Sequence, residues 1–119
     1  MNNNVNKTEY GYEISWAETT DYIAKLLVFE VPFTTPIHYF KEKDRSWFIN
    51  NGNFKIRWID TSTGKLYQQD CAEGSTFHAS ASLPVSLECI SPSGSISETS
   101  NNPENKEICI LIPSGNIGE

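Results

Sequence analysis

One stretch of this chain, residues 38–52, gathers an imidazole, a guanidinium and an indole in His38, Arg45 and Trp47. An imidazole titrates near neutrality and can move a proton. A guanidinium presents a planar fork of donors that matches a carboxylate or a phosphate. An indole offers a flat face on which a sugar or an aromatic ligand can stack, although aromatics at alternating strand positions are more often core. If Arg45 points inward, it must be paired or wet. It is then either an anchor for an anionic ligand or one half of a salt bridge to Glu42, Asp44 or Glu88. Lys41 and Lys43 read as part of a solvated turn. No other chemistry is marked. The sequence has no Gly-x-Ser-x-Gly and no glycine-rich phosphate loop, and neither His38 nor His78 has an obvious Asp partner.

Strands must hold these groups in place. Residues 41–44 are too polar to bury and read as a turn, while residues 45–50 are aromatic and β-branched enough for sheet. Strand alternation puts Arg45, Trp47 and Ile49 on one face. Upstream, Tyr10, Tyr12, Ile14 and Trp16 alternate with polar residues and predict a strand with that face buried. Residues 22–31 are apolar on both faces from Leu26 to Phe29, as in a strand covered on both sides, and Pro32 and Pro36 argue against a helix there. Downstream, Phe54, Ile56 and Trp58 face inward, and Asp60 to Gly64 closes a hairpin with residues 65–69. Further strands are expected at 76–78, 85–90, 95–99 and 108–112. The total is about eight or nine short strands with no helical pattern, which predicts an all-β sandwich, barrel or jelly roll.

With 119 residues, 38% of them apolar, the chain is long enough for one core and one domain. A formal net charge of −6 and the lack of any Lys/Arg run exclude a nucleic-acid partner. Cys71, Cys89 and Cys109 are odd in number and lack Cys-x-x-Cys spacing, so free thiols in a reducing cytoplasm are expected. No apolar run approaches the roughly 18–20 residues of a membrane span, and the N-terminus lacks the apolar centre of a signal peptide.

In motif and spacing the chain resembles the cupins, in particular those of mannose-6-phosphate isomerase type. Their first motif reads His-x-His-Lys-x-x-x-Glu-x-Trp-x-x-x-x-Gly, and that frame falls without a gap on His38, Phe40, Lys41, Arg45, Trp47 and Gly52. Tyr10-Gly11-Tyr12-Glu13 and Lys25 match the upstream pattern. Gly74, Pro84 and Val85 fall on the second motif. The resemblance implies a single cupin-type β-barrel over residues 10–113, with a flexible arm at 1–9, a tail at 114–119 and assembly as a homodimer. Cupins hold a divalent metal with two His and a Glu from the first motif and a His from the second. Here only His38 remains, since Phe40, Arg45 and Val85 stand at the other positions. One imidazole beside a guanidinium does not hold a transition metal against water, so no metal and no cofactor are expected. A His38–His78 pair is the alternative.

The expected function is a metal-independent barrel for a small-molecule ligand, a sugar or an anion, contacted by His38, Arg45, Trp47, Phe40, Val85 and His78. The first rival is an isomerase or epimerase acting on a sugar phosphate, with His38 as acid/base. The second is a structural or regulatory dimer whose barrel is plugged by Phe40, Trp47 and Leu87. No membrane partner is expected.

Overall fold

The computed structural model describes residues 4–114, and none of them is helical. One sheet runs in the order β1 (Val5–Lys7), β2 (Gly11–Glu18), β3 (Tyr22–Phe29), β11 (Gly94–Asn101), β6 (Arg45–Asn51) and β9 (Thr76–Ala79). The other runs β12 (Cys109–Ile112), β5 (Ile37–Tyr39), β10 (Val85–Cys89), β7 (Phe54–Asp60) and β8 (Lys65–Cys71), with the short β4 (Phe33–Thr34) also pairing β10. Every pairing between these strands is antiparallel. The two rolled sheets face each other in a jelly roll, one of the all-β forms expected from the strand spacing and the one that the resemblance to cupins implies.

Alternation along each strand builds the core between the sheets. On β6 the odd residues Arg45, Trp47 and Ile49 are buried, while Ser46 and Phe48 are exposed. On β7 Phe54 and Ile56 are fully buried, and on the neighbouring β10 the buried Val85, Leu87 and Cys89 lie beside them on the same face of the sheet. Tyr10 stacks on Phe29 with ring centroids 4.0 Å apart, and Phe29 meets the edge of Phe54 at 5.2 Å. The β6–β7 turn passes close to the start of β11. A Cβ on Gly52 (φ 89°) would lie 2.7 Å from the Gly94 Cα, and one on Gly94 would lie 2.7 Å from the Phe54 ring. Bare backbone at both positions lets the turn seat against the sheet.

Two expectations need correction. The arm expected at residues 1–9 includes β1, which pairs with β2 from Val5↔Ile14 to Lys7↔Tyr12. All three side chains of β1 are exposed, so it is held by backbone hydrogen bonds and leaves no burial pattern in the sequence. Residues 1–3, and the expected tail from 115 on, lie outside the described residues. The inward face of β2 is also the opposite of the expected one. Glu13 faces the interior opposite Leu27, while Tyr12 and Ile14 pair with Val28 and Leu26 on the outward face. Tyr10 does point inward. Gly11, at φ 154° and packed against the Val28 carbonyl, is in register with the inward Phe29, so the backbone changes phase between Tyr10 and Gly11.

Candidate functional site

A cavity of about 230 Å³ lies between the sheets. Strand β5 brings His38 to its wall, where the residue is 7% exposed, and the turn that follows folds Phe40 and Lys43 over the space. Strand β6 contributes Arg45 and Trp47, β11 contributes Glu98, and β2 and β3 contribute the Glu13–Lys25 ion pair at 3.2 Å. Tyr10 and Leu87 complete the apolar part of the wall.

The hydrogen bonds fix the state of His38. Its Nδ1 lies 2.8 Å from the Pro36 carbonyl oxygen, which can only accept, so Nδ1 carries the proton. Its Nε2 lies 3.0 Å from Nη1 of Arg45, which can only donate, so the Nε2 lone pair is the acceptor. Burial, then the neighbouring Arg45 charge, lower the pKa of His38 from 6.5 to about 4. His38 is therefore neutral at physiological pH, in one tautomer, with its basic nitrogen occupied.

Arg45 is only 6% exposed and pairs weakly for so buried a charge. Its nearest carboxylate is that of Glu98, 4.0 Å from Nη1, and the same Glu98 Oε1 accepts the Trp47 Nε1–H at 2.8 Å. Register explains the second bond, because Trp47 and Glu98 sit directly opposite each other on β6 and β11. Arg45 Nε has no hydrogen-bond partner among the described residues. The guanidinium is instead bracketed by aromatic faces, with Cζ 4.8 Å from the Phe40 ring centroid and 5.0 Å from that of Trp47. None of the acidic partners open to Arg45 in sequence is used, and Glu88 pairs with Arg57 at 2.7 Å.

Lys43 departs from the expected solvated turn. Lys41, Glu42 and Asp44 are exposed, but Lys43 is 6% exposed and turned in, with Nζ 4.9 Å from the Phe40 centroid. No carboxylate lies within ion-pair distance of Lys43 among the described residues. Burial, the largest effect, lowers its pKa; the nearby cations of Lys25 and Arg45 add to this, and the Glu98 and Glu13 carboxylates oppose it.

Of the residues expected at the site, His38, Phe40, Arg45 and Trp47 converge on the cavity. Trp47 is 1% exposed, with its N–H engaged by Glu98 and its ring stacked near Phe77, so it is a wall and not a free stacking platform. Val85 is fully buried between His38 and Trp58, and Leu87, one pleat along, reaches the cavity in its place. His78 belongs elsewhere. It sits opposite the exposed Ser46 and meets its hydroxyl at 3.2 Å, on the outward face of the sheet. The alternative His38–His78 pair is therefore ruled out by strand alternation. Sequence reasoning missed Glu98, Lys43, Glu13 and Tyr10 as lining groups. For Glu98 a signal existed, since it follows the apolar Ile96 by two residues and shares its face.

A divalent metal of the kind cupins hold does not fit these side chains. The His38 lone pair is taken by Arg45, the guanidinium stands where a carboxylate ligand would, and no cluster of three or more His, Cys, Asp or Glu side chains suited to a metal exists among the described residues.

No protein-family model and no curated protein sequence matches the chain. Solved structures do match in fold. The Staphylococcus aureus capsular polysaccharide assembling protein CapF aligns with a TM-score of 0.78 and 12% identity, over 91% of this chain and 34% of CapF. The Lactobacillus farciminis oxalate decarboxylase formate complex aligns at 0.77 and 15%, over 90% of this chain and 33% of the enzyme. The chain thus has the cupin fold and spans about a third of the length of either protein.

The state of His38 sets a pH dependence. Its pKa is lower in the folded than in the unfolded chain, so its contribution to stability is present above pH 6.5 and is lost as the pH falls toward about 4. The shift corresponds to about 3 kcal/mol. In urea titrations across that window, His38→Gln should lose less stability on acidification than the unsubstituted protein. Equal losses in the two proteins would show that His38 is not held neutral.

Proposed function

We propose that the chain is a metal-independent binding barrel for a small organic anion, held between its two sheets. One observation carries this reading: the cavity wall bears Lys25, Lys43 and Arg45 against only Glu13 and Glu98, one buried cation in excess, within a chain of net charge −6. A buried charge without a counter-ion is costly, and a bound carboxylate would supply one. Arg45 offers the donors and Lys43 the uncompensated charge. The Tyr10 phenol, kept protonated by burial first and by the Glu13 and Glu98 charges second, adds a neutral polar group to the same wall.

Size favours an acid of few atoms. A space of about 230 Å³ is below the roughly 300–1,000 Å³ of most ligand pockets. The related fold of an oxalate decarboxylase seen in complex with formate supports a small acid as ligand. The related fold of a capsular polysaccharide assembling protein, together with motif spacing that resembles mannose-6-phosphate isomerase-type cupins, supports a sugar derivative. The cavity volume favours the acid. An isomerase or epimerase with His38 as acid/base is the weaker reading, because the lone pair that would take the proton is bound to Arg45. The free thiols of Cys71, Cys89 and Cys109 support a reducing, cytoplasmic setting.

The partner we propose is a second copy of the chain, docked through the outward face of the β1–β2–β3–β11–β6–β9 sheet. Tyr12, Ile14, Leu26, Val28 and Phe48 share that face, and none of its cross-strand paired positions is Asp or Glu, although the chain has 15 acidic residues. Two copies of net charge −6 can approach there with least repulsion. Six strands at about 4.8 Å spacing span roughly 24 Å, in the size range of an interface burying about 800 Å² per partner.

Thermal-shift and calorimetric titration with small monocarboxylates should raise the melting temperature and give saturable binding, and Arg45→Gln should weaken that binding at least tenfold, the loss of about 1.4 kcal/mol expected for a charged hydrogen bond. No response to any small acid, or binding unchanged in Arg45→Gln, would count against the anion site. Light scattering should give a dimer that Phe48→Glu converts to a monomer. A monomeric unsubstituted protein at high micromolar concentration would remove the dimer.

A further inference from the structure

Lys43 stands apart from the other lysines of this chain. It belongs to an exposed turn, yet its side chain is folded into the barrel, where its ammonium meets the face of Phe40 and no carboxylate among the described residues. Lys25, also on the cavity wall, is tied to Glu13 at 3.2 Å, and Lys41 is exposed. Lys43 Nζ and Arg45 Cζ both lie within 5 Å of the Phe40 ring centroid, at 4.9 and 4.8 Å. An amine and a carboxylate-binding fork are thereby held around one aromatic ring, in a space that admits only a small molecule.

We propose that Lys43 captures the carbonyl carbon of small oxo acids as an imine within this cavity, with Arg45 holding the carboxylate. The proposal rests on the anion-binding reading above and names its ligand class. A lysine that is desolvated and set beside other cations gives up its proton more readily than one in water, which is the condition for nucleophilic amine chemistry. At Lys43 burial is the largest effect and the Lys25 and Arg45 charges act with it, against the Glu98 and Glu13 carboxylates, with the net result that the proton is held less tightly. In the step itself the neutral amine attacks the carbonyl carbon, forming a C–N bond. The carbonyl oxygen then takes up both protons of the nitrogen and leaves as water, giving a neutral imine with a C=N bond. No oxidant, reductant or metal takes part. Protonation of the imine restores the positive charge that Lys43 carried, so the charge balance of the cavity is the same before and after capture.

The test uses the whole chain with pyruvate and cyanoborohydride, which reduces an imine to a stable secondary amine, followed by peptide mapping by mass spectrometry. Lactate, which lacks the carbonyl, is titrated in parallel by thermal shift. The expected result is a single reduced adduct on Lys43 in preference to Lys41, abolished in Lys43→Arg, while lactate still raises the melting temperature of that charge-preserving variant. Lactate binding without a Lys43 adduct, or with adducts spread evenly over exposed lysines, would overturn the imine and leave the anion site standing. If lactate fails to bind and no Lys43 adduct forms, both readings fall.

Discussion

The interior of this barrel is organised by one hydrogen bond, from Nη1 of Arg45 to Nε2 of His38 at 3.0 Å. A guanidinium in a buried site needs acceptors, and the neutral ring of His38 is the nearest one it has. The Pro36 carbonyl holds the ring in the tautomer that can accept. Glu98 supplies a diffuse counter-charge at 4.0 Å, and Trp47 pins that carboxylate from the facing strand. The side chains come from three strands, His38 from β5, Arg45 and Trp47 from β6 and Glu98 from β11, and each is aimed by the pleat of its strand. Removing Arg45 would leave the Glu98 carboxylate buried without its cation, and removing Glu98 would leave the guanidinium with neutral partners only.

From that bond follow both what the cavity excludes and what it invites. A transition metal needs the lone pair that Arg45 occupies, and the guanidinium adds a positive charge where the ion would sit. An anion meets the opposite situation. Lys43 brings a charge that no carboxylate in its surroundings neutralises at short range, and the cavity is small enough to bring a carboxylate close to both cations. The same substitution, a guanidinium at the position of a carboxylate, thus changes the sign of the ligand the fold can hold.

Alternation along an uninterrupted strand was legible in the sequence, whereas changes of phase, the pairing of short strands and turn-borne side chains were not. The period of two in residues 45–49 was enough to place Arg45 and Trp47 on the inner face, because nothing interrupts β6 between them. His78, the alternative partner of His38, lay on a segment too short to show its own phase, which is set by its pairing with the outward Ser46. The β2 face was assigned wrongly because the aromatic pattern of Tyr10, Tyr12, Ile14 and Trp16 spans Gly11, where the backbone changes phase, and apolar side chains are used there on both faces of the sheet. Lys43 could not be found by composition. Its neighbours Lys41, Glu42 and Asp44 are as polar as any exposed turn, and this one side chain lies inward against Phe40. The metal-site positions read from the motif frame gave the right neighbourhood for His38, Phe40 and Arg45, and missed by one pleat at Val85.

The most direct test of this account is the protonation state of the His38 ring, read by ring-nitrogen NMR at neutral pH, before and after adding manganese, nickel or zinc. The account predicts a neutral ring with its proton on Nδ1 and its Nε2 accepting from Arg45, unchanged by any of the metals. An imidazolium, a proton on Nε2, or a His38 signal shifted or broadened by stoichiometric metal would contradict it.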